Sequence, residues 1–377
     1  MRILEVSRYK KQFADNTLPF VIEQGESIRA LGHEVEYFLV RGNYVKAVGA
    51  LKAKIREFKP DVVHAHFGLS AITAELQGLV PVVTTFHNGE TLNWHVNLMS
   101  SLMSLRAKHV IYVAQHIRDL SYFKAKNYSI IPCGVPMDQC VVMDKAEARK
   151  QLGWDANKKY ILFGGAFDNL RKNYALLRDA IEILEKENII QDTKKDESKV
   201  TCSNSNSIDP HSAKKQVFGQ FDAQSCSDAL TDSSEKNIQK NTKNIEIVEM
   251  KGLSRAECVL RMNACDLFAL PSHSEGSPQA LKEAMACNCP CLATDIADVK
   301  YLFGDESGHW ILRNPRKTHE RWDADEKSLD EMVELLKEAL AFEGRTNGRK
   351  RIEELQLTNE AVAKRIINIY EQVLSNQ

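Results

Sequence analysis

Hydrophobic and polar positions alternate along the chain in a way that predicts short buried strands separated by amphipathic helices. In the first part of the chain the predicted helices cover residues 18–31, which end before Gly32, and 45–58. The six predicted strands are residues 3–6, 34–40, 61–66, 81–86, 110–113 and 129–132. Strands that alternate with helices at this spacing are typical of a parallel, doubly wound sheet.

The same pattern restarts after a connection near residues 135–158. Helices are predicted over 174–186 and from near Arg255, Pro278 and Leu329, and strands over 160–163, 245–248, 267–270 and 291–294. The chain is therefore predicted to be an α/β protein of two Rossmann-like domains, residues 1–140 and 155–377. We expect the C-terminal helix to pack back on the first domain.

Residues 191–243 fit neither domain. Of these 53 residues, 22 are Ser, Thr, Asn or Gln, and only seven are large apolar residues. Such a composition cannot offset the entropy of ordering a long loop, so the segment is predicted to be a disordered insertion.

Composition narrows the class of protein. The chain has 377 residues, 43% hydrophobic and 27% charged, with a net charge of -1. No global basic field favours nucleic acid, and no apolar run approaches the ~20 residues of a membrane span. The N-terminus reads as a strand instead of a signal peptide, and the nine cysteines lack disulfide-like spacing. We expect a cytoplasmic protein with reduced thiols.

The segment 271–286 carries the sharpest chemical pattern, since it follows the strand that ends at Leu270. Ser277 is predicted to cap a helix whose first residue is Pro278. The free N–H groups of Gln279 and Ala280 would then point out of the helix N-terminus, where an anion is stabilised.

Two carboxylates bracket this predicted anion site. Glu275 precedes the helix at the carboxyl end of a strand, and the side chain of Glu283 leans back toward the helix N-terminus. A nucleotide sugar, with phosphates in the middle and hydroxyls at both ends, matches this arrangement. The alternative is a capped surface helix with two solvated acids.

A second candidate is the loop 164–173, which also follows a strand. Gly164 and Gly165 allow close backbone approach, and Arg171 and Lys172 supply cations for a diphosphate. No Gly-x-Gly-x-x-Gly or Walker A pattern occurs at a strand-to-helix turn, which disfavours nicotinamide and ATP sites.

Histidines of the first domain form a third candidate. His64 and His66 share one face of a strand, but no further ligand has a telling spacing, so no metal is expected. His64 is predicted to be buried, and His87 is placed in the cleft at the end of the fourth strand. The closely spaced Cys287, Cys289 and Cys291 are interpreted as buried thiols.

These residues resemble the signature of the family 4 (group 1) retaining glycosyltransferases, which have the GT-B fold. The pair Glu275 and Glu283 within 271–287 carries the resemblance. It extends to further segments, namely 61–67, 83–89, 131–136 and 262–272. It implies two Rossmann-like domains that face each other across a cleft.

The resemblance implies a role for each position. Glu283 would bind the donor ribose, while Glu275 and His87 would lie against the transferred sugar. The diphosphate would be held by the remaining site residues, which are Gly165, Arg171, Lys172, Gly276, Ser277, Gln279 and Ala280. The reaction would retain the anomeric configuration, use a UDP- or GDP-sugar and a glycan or lipid-linked acceptor, and need neither metal nor other cofactor.

Two departures from the family pattern affect the phosphate and acceptor contacts. Ala166 follows Gly165 where the family has arginine, so Arg171 is expected to take over in an unsettled register. The family's glycine-rich loop after the first strand is replaced by Ser7–Phe13, in which Lys10 and Lys11 either supply charge to the site or face solvent.

Two other functions stay open: a GT-B nucleotide-sugar epimerase, and a catalytically silent nucleotide-binding or scaffold protein. Peripheral contact with the inner face of the membrane is a further expectation. The basic residues Lys52, Lys54, Arg56 and Lys59 would serve it, although a solvated helix face explains them equally well.

Overall fold

A computed structural model describes residues 1–187, 244–314 and 326–376, and it contains two parallel β-sheets with helices packed on them. The predicted insertion, residues 191–243, lies outside the described residues. The two parallel sheets confirm the predicted α/β fold class.

The first sheet has six strands in the order β2-β1-β3-β4-β5-β6. Its strands are β1 (Arg2–Arg8), β2 (Glu34–Val40), β3 (Val62–His66), β4 (Val82–Phe86), β5 (His109–Tyr112) and β6 (Tyr128–Ile130). The helices between them are α1 (Pro19–Ala30), α2 (Val48–Phe58), α3 (Gly68–Glu75), α4 (Trp94–Ser104) and α5 (Gln115–Leu120). The central strands β3 and β4 are buried along their whole length, although each contains two polar residues.

The second sheet has five strands in the order β11-β10-β9-β7-β8. Its strands are β7 (Lys159–Phe163), β8 (Ile245–Glu249), β9 (Leu267–Leu270), β10 (Cys291–Thr294) and β11 (His309–Leu312). The helices are α6 (Lys145–Leu152), α7 (174–187), α8 (Arg255–Ala264), α9 (Gln279–Ala286), α10 (Val299–Phe303), α11 (Glu326–Ala341), α12 (Gly348–Glu354) and α13 (Asn359–Ser375).

The ten strands predicted from the sequence are confirmed, with ends that differ by at most two residues. The prediction missed β11, which pairs in parallel with β10 at the edge of the second sheet. It has only four residues and begins with His309, so neither length nor alternation distinguishes it from a loop. The three thiols Cys287, Cys289 and Cys291 are fully buried in the core of this domain.

The last helix, α13, returns to the first domain. Val362, Ile366 and Tyr370 belong to the same buried cluster as Ile3 and Val62 of the first sheet. Just before α13, a backbone bridge joins Val135 to Thr358 in parallel. The chain therefore crosses between the domains twice, and the two crossings are hydrogen-bonded to each other.

The environment of Glu75, at the end of α3, predicts how this residue makes the stability of the protein depend on pH. Its side chain is buried, one carboxylate oxygen lacks a hydrogen-bond partner, and burial raises its pKa to about 8. The unfolded chain ionises this group near pH 4.3, so the native state binds more protons between these values. The contribution of Glu75 to stability should therefore fall as pH rises from about 4.5 to 8.

We expect Glu75→Gln to be more stable than the native protein at pH 8 by roughly 4–5 kcal/mol, at 1.36 kcal/mol per pKa unit, and about equal at pH 4.5. Urea unfolding of the full chain at both pH values measures this. Glu57→Gln, on the exposed face of α2, is the control and should show no such difference. Equal stability of the Glu75 variant and the native protein at pH 8 would contradict the burial argument.

Candidate functional site

The two domains meet where loops at the carboxyl ends of β4 and β9 touch. A Cβ atom on Gly276 would lie 2.6 Å from the backbone oxygen of His87, so this position has no room for a side chain. The amide of Asn88 donates to the hydroxyl of Ser274 over 3.3 Å. Ligands of open α/β sheets bind at such strand ends, and here one end from each sheet contributes.

Glu275 lies on the second-domain side of this contact and is 8% exposed. The Nζ atom of Lys172 donates to its carboxylate over 2.7 Å, and a guanidinium nitrogen of Arg171 lies 3.8 Å from the other carboxylate oxygen. Arg171 also donates to the backbone oxygen of Ser274. Both cations of the loop after β7 therefore converge on Glu275.

The loop that presents these cations is built around Gly165 and a short 3₁₀ turn, Leu170–Lys172. The side chain of Asn169 accepts from the N–H of Arg171 and begins that turn. A Cβ atom on Gly165 would lie 2.7 Å from Cγ of Lys172. Because glycine has no side chain, the aliphatic part of Lys172 can pack directly on the backbone of residue 165. Ala166 has no charge, whereas Lys172 lies against the neighbouring Gly165.

Helix α9 begins one residue later than predicted, which corrects the capping assignment. Pro278 is the N-cap and Gln279 the first helical residue, and Ser277 does not cap the helix. The Ser277 hydroxyl donates instead to a carboxylate oxygen of Asp298 over 2.6 Å, a charge-assisted hydrogen bond. Gln279 and Ala280 nevertheless remain the first two helical residues, whose N–H groups have no intrahelical partner.

Glu283 lies at the opposite side of α9, near the first domain. Its carboxylate accepts from the Gln279 side chain over 3.4 Å and lies 3.2 Å from the guanidinium of Arg255, which is also 2.7 Å from Glu23 of α1. Burial raises the pKa of Glu283, while Arg255 lowers it. Glu275 and Glu283 therefore have different cation partners and occupy separate ends of one site.

His87 sits between aromatic rings of the first domain. The rings of Phe20 and Phe67 are each 4.7 Å from its ring, centroid to centroid. Its Nε2 atom is 3.2 Å from Nδ1 of His66, and its Nδ1 atom is 3.7 Å from Sγ of Cys133. Burial lowers the pKa of His87 well below its usual value, and His66 and Lys282 lower it further, so the ring is neutral.

Glu5, His64 and His66 are the one group of three whose ligand atoms lie close enough for a metal among the described residues, within 4.8 Å of one another. All three side chains are fully buried. Each ring nitrogen already contacts a protein atom: those of His64 face Tyr370 and Thr85, and those of His66 face Glu5 and His87. The geometry is therefore that of a hydrogen-bonded network.

Three residues of the site were not assigned from the sequence: Lys282, Arg255 and Asp298. Lys282 is fully buried, and its Nζ atom donates to the backbone oxygen of Cys133 over 2.6 Å. Burial lowers its pKa, and burial raises that of Asp298. A lysine on the buried face of an otherwise apolar helix was the available signal for Lys282. Arg255 and Asp298 are far in sequence from their partners Glu283 and Ser277, and only the tertiary fold brings them together.

A cavity of about 250 Å³ lies in the first domain beyond Phe67, where β1, β3 and β4 end. Arg8, Lys10 and Gly68 line it, and Glu90 closes it by accepting from the N–H of Gly68 over 2.8 Å. Lys10 is half-buried at this cavity, whereas Lys11 is exposed to solvent. The two lysines after β1 therefore differ in their environment.

Comparison with family models gives two matches in sequence order. Residues 23–139 match the model of Glycosyltransferase Family 4, and residues 221–346 match that of Glycosyl transferases group 1. The first match ends at residue 139, between β6 and β7, whereas the second begins at residue 221, so β7 and α7 lie in neither match.

Individual proteins give the same picture. The chain is 25% identical over 277 residues to TuaC of Bacillus subtilis, a glycosyltransferase named for teichuronic acid biosynthesis, and the match spans 69% of this chain and 59% of that relative. Sucrose-phosphate synthase of Thermosynechococcus elongatus superposes with a TM-score of 0.69 at 18% identity, over the whole of both chains. Anabaena HepE in complex with UDP superposes with a TM-score of 0.62 at 12% identity, over 99% and 100% of the two chains.

The contact at Gly276 predicts the effect of adding one methyl group. In Gly276→Ala the new Cβ would overlap the backbone oxygen of His87, which cannot rotate away, so the domains must shift. We expect the free energy of unfolding to fall by about 1–3 kcal/mol, the usual cost of overpacking. Gly49→Ala is the matched control, because its Cβ meets no atom within 4 Å. Equal urea midpoints for the two variants would show that this contact does not constrain the domains.

Proposed function

Because the chain belongs to the family 4 (group 1) glycosyltransferases, we propose that it transfers a sugar from a UDP- or GDP-sugar to a glycan or lipid-linked acceptor. One observation carries the proposal. Glu275, Lys172 and the N-terminus of α9 lie together where the loops after β4 and β9 touch.

The donor diphosphate would lie at the N-terminus of α9. The N–H groups of Gln279 and Ala280 and the positive end of the helix dipole favour an anion there, by roughly 0.3–2 kcal/mol per favourable charge. Arg171 and Lys172 add two cations, which contact Glu275 in the free protein. A diphosphate would compete with Glu275 for both of them.

Glu283 would bind the ribose of the donor. Its carboxylate is buried beside Arg255 and Gln279, so it is held in place before the ligand arrives. Ribose hydroxyls that donate to the ionised form would lower the raised pKa of Glu283. Nucleotide binding would therefore be accompanied by proton release from this group.

The transferred sugar would lie between Glu275 and His87, one group from each domain. Positive charge develops on the sugar as the diphosphate leaves, and a carboxylate near it stabilises that charge. Arg171, Lys172 and the helix terminus would neutralise the leaving diphosphate. We propose that they do so without a metal ion, and that the anomeric configuration is retained.

The acceptor would enter through the cavity beyond Phe67, where Arg8 and Lys10 suit a phosphorylated acceptor.

Three large apolar side chains in or next to α4 are exposed, namely Trp94, Leu102 and Leu105. At 100° per residue they fall within an arc of about 80° around the helix axis. Such an apolar face is typical of contact with a membrane surface. We therefore propose a cytoplasmic enzyme that is peripheral to the inner face of the membrane. Among the described residues, no helix is both long enough and apolar enough to span a bilayer.

Two variants separate donor binding from chemistry. Glu283→Ala would lose charge-assisted hydrogen bonds of roughly 1.5–3 kcal/mol, on the order of 10- to 150-fold in affinity. Because ribose does not react, the loss should appear in the donor KM. Glu275→Ala should instead lower kcat and should not weaken nucleotide binding.

The measurements are dissociation constants for UDP, GDP and ADP by thermal shift or calorimetry, together with steady-state turnover of donor. Glu338→Ala, on the exposed face of α11, is the control and should match the native protein. An unaltered nucleotide dissociation constant in Glu283→Ala would refute the ribose assignment. Rearrangement of the donor sugar without any acceptor would indicate an epimerase in place of a transferase.

A further inference from the structure

Behind His87, a chain of hydrogen bonds orders the donors and acceptors of two histidine rings, and the proposed transfer reaction has not yet given this order a role. It runs from the carboxylate of Glu5 to Nε2 of His66 over 2.8 Å, and from Nδ1 of His66 to Nε2 of His87 over 3.2 Å. Glu5 and His66 are fully buried, and neither borders the cleft. They can therefore influence a bound sugar only through His87.

An ionised carboxylate accepts hydrogen bonds and cannot donate one. Burial by itself would raise the pKa of Glu5, but His64, His66 and the amide of Gln24 together hold it below its usual value. With Glu5 ionised, Nε2 of His66 carries a proton and donates it to that carboxylate. In the neutral ring, Nδ1 of His66 is then an acceptor.

The tautomer of His66 determines the tautomer of His87. Nδ1 of His66 accepts, so Nε2 of His87 must carry the proton that it donates across the 3.2 Å contact. The Nδ1 atom of the neutral His87 is then unprotonated, and it faces Sγ of Cys133 in the turn between the domains. The thiol is a weak donor, so a sugar hydroxyl can replace it.

We propose that Glu5 and His66 are positioning residues that fix His87 in the tautomer with its proton on Nε2, so that Nδ1 accepts a hydrogen bond from a hydroxyl of the transferred sugar. The assignment of that hydroxyl to a donor sugar rests on the proposed function, whereas the tautomer itself does not. The site thus selects a sugar that presents a hydroxyl donor at this position.

The substitution Glu5→Gln should reverse both tautomers. Gln24 donates to the other carboxylate oxygen of Glu5 over 3.5 Å, so a substituted amide would turn its oxygen toward Gln24 and its NH₂ group toward His66. Nε2 of His66 would then accept, Nδ1 would carry the proton, and His87 would be protonated on Nδ1. Glu5→Asp keeps an acceptor-only group and should retain the native tautomers.

The first measurement is ¹⁵N NMR of the full chain labelled at histidine, at pH 8, above the ordinary histidine pKa of ~6.5. Protonated and unprotonated ring nitrogens differ widely in ¹⁵N shift, and His87→Ala and His66→Ala assign the signals. We expect native His87 to be protonated on Nε2, as in Glu5→Asp, and on Nδ1 in Glu5→Gln. Glu75→Gln, another buried glutamate of the same domain, should leave His87 unchanged.

A proton on Nδ1 of His87 in the native protein would overturn the proposal even if Glu5→Gln does not fold. An unchanged His87 tautomer in a folded Glu5→Gln would overturn it as well. Neither result depends on a donor, so failure of the proposed transfer reaction, seen as absence of nucleotide binding and turnover, is distinguishable.

Turnover gives an independent measurement. Glu5→Gln should lower kcat with the sugar donor about tenfold, the effect of one hydrogen bond, and leave the UDP dissociation constant unchanged. Introduced into His87→Ala, the same substitution should cause no further loss, because its effect passes through that ring. An equal loss in both backgrounds would mean that Glu5 acts on stability and not on His87.

Discussion

Two hydrogen bonds from one helix to the turn between the sheets fix the relative placement of the site residues. Lys282 and Gln279 of α9 donate to the backbone oxygens of Cys133 and Gly134 over 2.6 and 2.8 Å. The same helix presents its N-terminus toward Glu275 and carries Glu283 on its flank. Because Cys133 also contacts His87, the turn links the first-domain group of the site to the second-domain helix.

Charged groups at the domain interface are buried with partners. Lys172 has Glu275, Arg255 lies between Glu23 and Glu283, and Lys282 faces a backbone oxygen. Buried ion pairs contribute little net stability, because desolvation offsets the attraction, but a charge left alone is costly. We infer that a ligand which takes over one partner of a pair must also satisfy the other, so the proposed diphosphate at Lys172 would leave Glu275 to the transferred sugar.

Most strands could be predicted from the sequence because they are short, mainly apolar runs next to a helical pattern. The site loops could be predicted because they follow strand ends. Local pattern could not decide whether Ser277 caps α9, since the competing acceptor, Asp298, is 21 residues away and adjoins only in the fold. Arg255 and Glu5 were not assigned for the same reason. Their partners lie on other elements, and nothing in their own neighbourhood distinguishes them from a solvated arginine or a core carboxylate.

The two chain crossings also affect how easily one domain can rotate relative to the other. The N–H of Val135 donates to the oxygen of Leu357 over 2.8 Å, and the N–H of Asn359 donates to the oxygen of Val135 over 3.0 Å. Gly134 lies so near that a Cβ atom there would meet Asn359 at 2.5 Å. A single linker would let the domains swivel freely, whereas a double, hydrogen-bonded one resists torsion and yields chiefly to bending. We infer that the paired crossings keep the opposed halves of the site in register when the domains bend relative to each other.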